Sequence, residues 1–141
     1  MHCIFCDILT GKLEATFVYR DDRVAAFMDI QPVNPGHVLV VPMQHFVGLA
    51  DLPADIGSRI FAVAQKVSAA LGKSGLRCEG VNLFFADGEA AMQEVFHAHL
   101  HVFPRFTNDG FGLRFSESYS HRPPREALEE AAAKIRTSLE V

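Results

Sequence analysis

The chain has 141 residues, about one domain's worth, and its 49% hydrophobic and 21% charged content excludes extended disorder and supplies a core. Thirteen Lys plus Arg against seventeen Asp plus Glu give a formal net charge of −4. That charge gives a DNA or RNA polymer no electrostatic footprint, whereas a small anionic ligand needs only local charge.

The residues up to Thr10 read as a brief helix or turn around Cys3 and Cys6, stopped at Gly11-Lys12. Phe17 to Arg20 and Val24 to Met28 flank the polar Asp21-Asp22 and predict a hairpin. Asn34-Pro35-Gly36 is a strong turn signal, followed by a strand from His37 to Val41 ended by Pro42. From Pro53 to Leu71 the apolar residues Ile56, Ile60, Val63, Ala64, Val67 and Leu71 recur at steps of three and four, the stripe of an amphipathic helix. Val81 to Ala86 is a predicted strand broken by Asp87-Gly88, and Glu89 to Val95 a loop. His97 to Phe103 is the next predicted strand, ended by Pro104. After Pro123-Pro124 a second helix places Leu128, Ala132, Ile135 and Leu139 on one face. The expected fold is α+β: an antiparallel sheet of about five strands, a central helix and a C-terminal helix. No linker divides the chain, so residues 1–141 are expected to form one domain, with 105–141 as an extension. No apolar run approaches a membrane span and no secretory leader is legible, so the expected location is the cytoplasm, without a membrane partner.

Histidine is the unusual entry in the composition, with seven residues. In a strand, the period of two puts His97, His99 and His101 on one face and Ala98, Leu100 and Val102 on the other. Alternate imidazoles lie about 6.6 Å apart along such a strand and line a groove. A metal site and a catalytic anion site both fit. In the second reading one neutral imidazole is the nucleophile, while a protonated neighbour stabilises an oxyanion or protonates a leaving group. His99 is central; its Nδ1–H held by a backbone carbonyl would leave Nε2 to attack phosphorus, and backbone amides at Glu94 and Val95 would cradle phosphate oxygens.

The run from His97 to Phe103 resembles the signature of the histidine triad superfamily. Ile4-Phe5-Cys6, Ala26 to Ile30, Pro35-Gly36-His37 with Leu39 to Pro42, and Gln93 to Phe96 also resemble family segments in order and spacing. The resemblance implies that His99 is the nucleophile and forms a transient nucleotidyl-histidine. It places His101 at the phosphate or leaving group, with His37 joining the cluster. Asp29 stands where the family binds ribose hydroxyls, and Ile4, Phe5, Phe27, Ile30 and Leu39 match the apolar slot for a purine. Gln93, Glu94 and Val95 match the phosphate-contacting segment. Ala86, Met92 and Glu94 depart from the commonest pattern of Asn, Gly and a small hydroxyl residue. Glu94 is expected to point outward, because a carboxylate beside a phosphate is unfavourable.

Cys3-x-x-Cys6 is a two-ligand spacing suited to tetrahedral zinc. The resemblance adds His45 and His97 as the other ligands, which gives His97 a structural role. It also implies a homodimer and an enzyme that releases a nucleoside 5′-monophosphate, AMP by expectation, from a dinucleoside polyphosphate or nucleoside phosphoramidate. The alternative is a non-catalytic nucleotide- or zinc-binding module. Cys78 is expected as a small core residue; His2 and His121 are expected to be solvated.

Overall fold

In the computed structural model, which describes residues 2–139, the elements follow the predicted order. They are α1 (Ile4–Leu9), β1 (Phe17–Arg20), β2 (Val24–Met28), β3 (Val38–Pro42), α2 (Ala54–Leu71), β4 (Gly80–Phe85), β5 (Leu100–Arg105) and α3 (Arg125–Ser138). Met1, Glu140 and Val141 lie outside the described residues. The five strands form one antiparallel sheet in the order β1-β2-β3-β5-β4. After β3 the chain crosses as α2, returns along the far edge as β4, and then inserts β5 between β3 and β4.

The stripe of α2 explains why the helix lies where it does. Ile60, Val63, Ala64 and Leu71 are buried, and they pack on Val24, Ala26, Val38, Val40, Leu100 and Val102 of the sheet. Each Val, Leu or Ile among them contributes about 1.5–3 kcal/mol when fully buried. Pro53 is the N-cap and Gly72 the C-cap. Polar contacts then fix the helix against the hairpin. Arg59 donates to Asp21 Oδ2 through Nε at 3.1 Å and Nη2 at 2.8 Å, and Arg23 pairs with Asp55. Burial alone would raise the Asp21 carboxyl, but bonds from Tyr19, the Val24 amide, Arg59 and the Arg23 amide hold it well below the usual carboxylate range.

The opposite face of the sheet carries Ala25, Phe27, Leu39 and Val41, and α1 covers part of it with Phe5 and Leu9. The rest of this face holds the histidines. Compact unit one ends at Gly110 and a second begins at Phe111. In the second unit Phe115 and Tyr119 stack at 3.8 Å between ring centroids, and no residue of α3 is buried. The expected apolar stripe of α3 is therefore present as a pattern but open: Leu128, Ile135 and Leu139 are all exposed.

Two strand boundaries differ from the sequence reading. β5 starts at Leu100, so His97 and His99 precede the strand; the backbone amide of Ala98 bonds to the Phe46 carbonyl at 2.7 Å instead of joining a ladder. Pro104 does not end β5. Pairing with β3 stops at Val102 while pairing with β4 continues through Pro104 and Arg105, so a missing N–H on the open side breaks no ladder bond.

Candidate active site and metal centre

The alternation expected of the triad survives at its C-terminal half. Leu100 and Val102 point to α2. His101 is registered against Leu39 on one side and Phe84 on the other, and the His99 ring lies 4.9 Å from it. His97 turns away and joins a different cluster.

Hydrogen bonding fixes the proton on each reacting ring. The Val33 amide donates to His37 Nδ1 at 3.0 Å, so that nitrogen is an acceptor and the neutral ring carries its proton on Nε2. His37 Nε2 lies 2.8 Å from His101 Nδ1, which must accept, and His101 therefore carries its proton on Nε2. His99 Nδ1 donates to the His97 carbonyl at 2.7 Å, which leaves Nε2 as a lone pair. Two neighbouring rings thus present opposite faces of the same atom: His99 Nε2 is a lone pair able to act as a nucleophile, and His101 Nε2–H is a hydrogen-bond donor.

Burial lowers the pKa of all three rings. For His37 and His99 burial is the largest cause, opposed by Asp29 and, for His99, also by the bond to the His97 carbonyl. His101 is pushed down to about 4 by burial and then by His99 and His37, against the pull of Asp29. The protonated neighbour expected from the sequence is therefore replaced by a neutral one in the free protein. Its donor capacity comes from the tautomer, not from an extra proton.

Asp29 stands beside this pair, its Oδ2 3.5 Å from His37 Nε2 and 3.9 Å from His101 Nδ1; its Oδ1 accepts the Gln31 amide. Phe5, Phe27 and Leu39 pack in one cluster with Val95 at its margin. Phe5 meets the His99 ring edge-on at 5.1 Å. Ile4 is half-exposed at the rim, and Ile30 is 96% exposed, apart from that cluster. Gln93 is not free to reach a ligand: its Oε1 accepts the Gly88 amide and its Nε2 donates to the Val47 and Val95 carbonyls. It braces the loop instead of contacting phosphate through its amide. Glu94 is exposed, and Ala86 is buried.

Cys3, Cys6, His45 and His97 bring one ligand atom each within 4.8 Å of one another. His97 Nε2 donates to the Pro42 carbonyl at 2.9 Å, which presents its Nδ1 lone pair to the other three. Zinc–nitrogen and zinc–sulfur bonds of about 2.0–2.1 Å and 2.3 Å imply tetrahedral edges of roughly 3.3 Å for N···N and 3.6 Å for N···S. The His45 to His97 distance is 3.2 Å, and the sulfur–nitrogen distances are 3.4, 3.5 and 3.6 Å. The donor set fits zinc in both chemistry and size. Without a cation the Cys6 thiol is pushed up to about 11 by burial and then by Cys3 and Asp7. Of the remaining candidates, His2 is exposed and near Asp7, His121 is exposed, and the Cys78 thiol donates to the Gly80 carbonyl.

Four contributors were missed by sequence reasoning. Val33 sets the His37 tautomer, and Asn34 holds the His37 backbone, its carbonyl accepting that amide at 3.1 Å. Phe103 and Phe84 pack on His37 and His101 at 4.9 and 5.7 Å. The signal for Phe103 was available, since it continues the alternation of the triad.

Comparison with known proteins agrees with this geometry. The HIT domain family model matches residues 10–108. A HIT family protein from Bacillus anthracis superposes with a TM-score of 0.89 at 40% identity, covering 99% of this chain and 98% of that one. A Zn-bound histidine triad family protein from Mycobacterium smegmatis matches with a TM-score of 0.76 at 37% identity over 99% of each chain. Adenylylsulfatase HINT3 of Arabidopsis thaliana is 31% identical over 107 residues, 76% of this chain and 54% of the plant protein. Among the described residues no helix is long and apolar enough to cross a membrane. A sheet that presents paired imidazoles of opposite tautomer beside a Cys2His2 cluster, matched over most of its length by the family model, belongs to the HIT family.

Proposed function

We propose that this protein cleaves a nucleoside 5′-monophosphate, with AMP as the expected nucleotide, from a dinucleoside polyphosphate or nucleoside phosphoramidate. The observation that carries the reading is the opposed pair of tautomers. His99 Nε2 forms a bond to the α-phosphorus, the bond to the leaving group breaks, and His101 Nε2–H protonates that group. Water then attacks phosphorus and gives a proton to His101 Nε2, the phosphorus–nitrogen bond breaks, and the monophosphate leaves with both rings restored. His37 orients His101. Asp29 takes the ribose hydroxyls, and Phe5, Phe27 and Leu39 supply the base slot. Ile4 closes its rim, while backbone amides near Glu94 and Val95 meet the phosphate.

Cys3, Cys6, His45 and His97 hold zinc in this reading, and the metal ties the chain's start to the sheet without entering the reaction. Three cysteines that form no disulfide suit a reducing compartment such as the cytoplasm, and a homodimer is the proposed assembly. Replacing His99 by Asn tests the function. The variant is expected to bind AMP while losing turnover and the covalent adduct seen by mass spectrometry in the wild type. Nucleotide binding by the wild type without product or adduct would establish the non-catalytic alternative.

A further inference from the structure

Phe5 stands between two sites. It is 6% exposed and makes edge-on ring contacts with Phe27 at 5.4 Å, His97 at 5.8 Å and His99 at 5.1 Å. Its helix begins among the thiols: Cys3 is the N-cap, with its Sγ accepting the Cys6 amide at 3.4 Å, and Cys6 directly follows Phe5. With six residues, α1 is far shorter than the roughly 12–15 residues an isolated helix needs to persist. Its position depends on the burial of Phe5 and Leu9 against the sheet and on what holds its ends. One end is tied by Arg20, whose Nη2 donates to the Leu9 carbonyl at 2.6 Å; the other ends in the Cys/His cluster.

His97 supplies a second connection. Its side chain faces Cys3, Cys6 and His45, while its carbonyl accepts the His99 Nδ1–H. The residue that completes the cluster also sets the orientation of the neighbouring ring and the nitrogen that bears its proton. His45 Nδ1 lies 3.2 Å from His97 Nδ1, about the N···N edge of a zinc tetrahedron, so a cation held there would fix both rings.

We propose that closing Cys3, Cys6, His45 and His97 around zinc seats Phe5 against His99 and the base slot, so that zinc and nucleotide bind with positive cooperativity. The inference rests on the functional reading above, in which the cluster takes zinc and the cleft takes a nucleotide. A nucleotide entering the open form has to order α1 itself, whereas in the zinc form that order is already present. Such coupling is reciprocal: zinc must tighten AMP by the same factor by which AMP tightens zinc.

Calorimetric titration of AMP into zinc-loaded and chelator-stripped protein measures one side, and zinc competition against a chromophoric chelator with and without saturating AMP measures the other. Both are expected to give a factor of about ten, within the usual range of couplings. Ring nitrogen NMR shifts of His99 should report a single Nδ1–H tautomer in the zinc form and a mixture in the stripped form. Phe5→Leu keeps all four metal donors; it should take up zinc as the wild type does and lose the coupling. If the stripped chain unfolds, His45→Ala replaces it, since it leaves three donors and every base-slot residue in place: in the presence of zinc it must bind AMP about tenfold more weakly than the wild type, and equal affinity overturns the inference. Zinc and AMP that both bind but ignore each other within twofold overturn it while leaving the functional reading intact. Failure to bind zinc or AMP at all overturns both.

Discussion

His101 makes the stability of this protein depend on pH in a way that can be worked from one ring. Its side chain is 20% exposed, and its pKa falls from 6.5 to about 4 in the folded protein. The folded value lies below the unfolded one, so the unfolded chain binds more protons and stability rises with pH. The contribution is intact above pH 6.5 and is lost as pH falls towards 4. Linkage gives about 2 kcal/mol of lost stability at pH 5 and at most about 3 kcal/mol at lower pH. His37, His99 and Asp29 face the same ring, so the measurement needs a reference that keeps them. His101→Asn provides it, because its amide oxygen can still accept from His37. Urea unfolding of wild type and variant between pH 8 and pH 4.5 should show the wild type losing about 2 kcal/mol more than the variant by pH 5. Parallel curves over that range would refute the assignment of a depressed pKa to His101.

Two further substitutions test the turn that delivers His37. Asn34 is buried, and its Nδ2 donates to the Pro104 carbonyl at 2.9 Å and to Asp109 Oδ2 at 2.8 Å; Asn34→Ala should cost about 1–3 kcal/mol in denaturant unfolding, and a loss under 0.5 kcal/mol would count against the brace. Gly36 has a φ of +108°, and a Cβ there would sit 3.0 Å from Leu76 Cδ1 and 3.1 Å from Leu71 Cδ2. Gly36→Ala should lower stability by about 1–3 kcal/mol by thermal unfolding, with Leu76→Ala recovering only the steric part.

What the sequence made legible follows from periodicity. The α2 stripe and the β1–β2 hairpin are local patterns, and the structure places them within a residue or two of expectation. The triad was legible as a motif but not as a geometry. Alternation predicts three imidazoles in a row, whereas Cys3, Cys6 and, from the segment after β3, His45 draw His97 out of the row. Burial and tautomer are long-range properties, set for His37 by Val33 and for His97 by the Pro42 carbonyl. Gln93 shows the same limit: its type suggested a ligand contact, but three backbone groups 2 to 46 positions away occupy it. Met92 is the converse case. The departure from glycine was visible in the sequence, and the structure gives it meaning through a left-handed φ of 70°, a conformation that glycine adopts without strain.

The segment from Gln93 to Leu100 is tied at each end and in the middle, by Gln93 to Val47 and Gly88, by Ala98 to Phe46, and by Leu100 to its partners in β3 and β4. It therefore acts as a ruler of fixed length. Deleting one residue from it would move β5 by one position against neighbours on both sides, exchanging the core-facing Leu100 and Val102 for the histidine face. A change of length in this stretch cannot be absorbed locally, so natural variation here should appear as replacement without gaps.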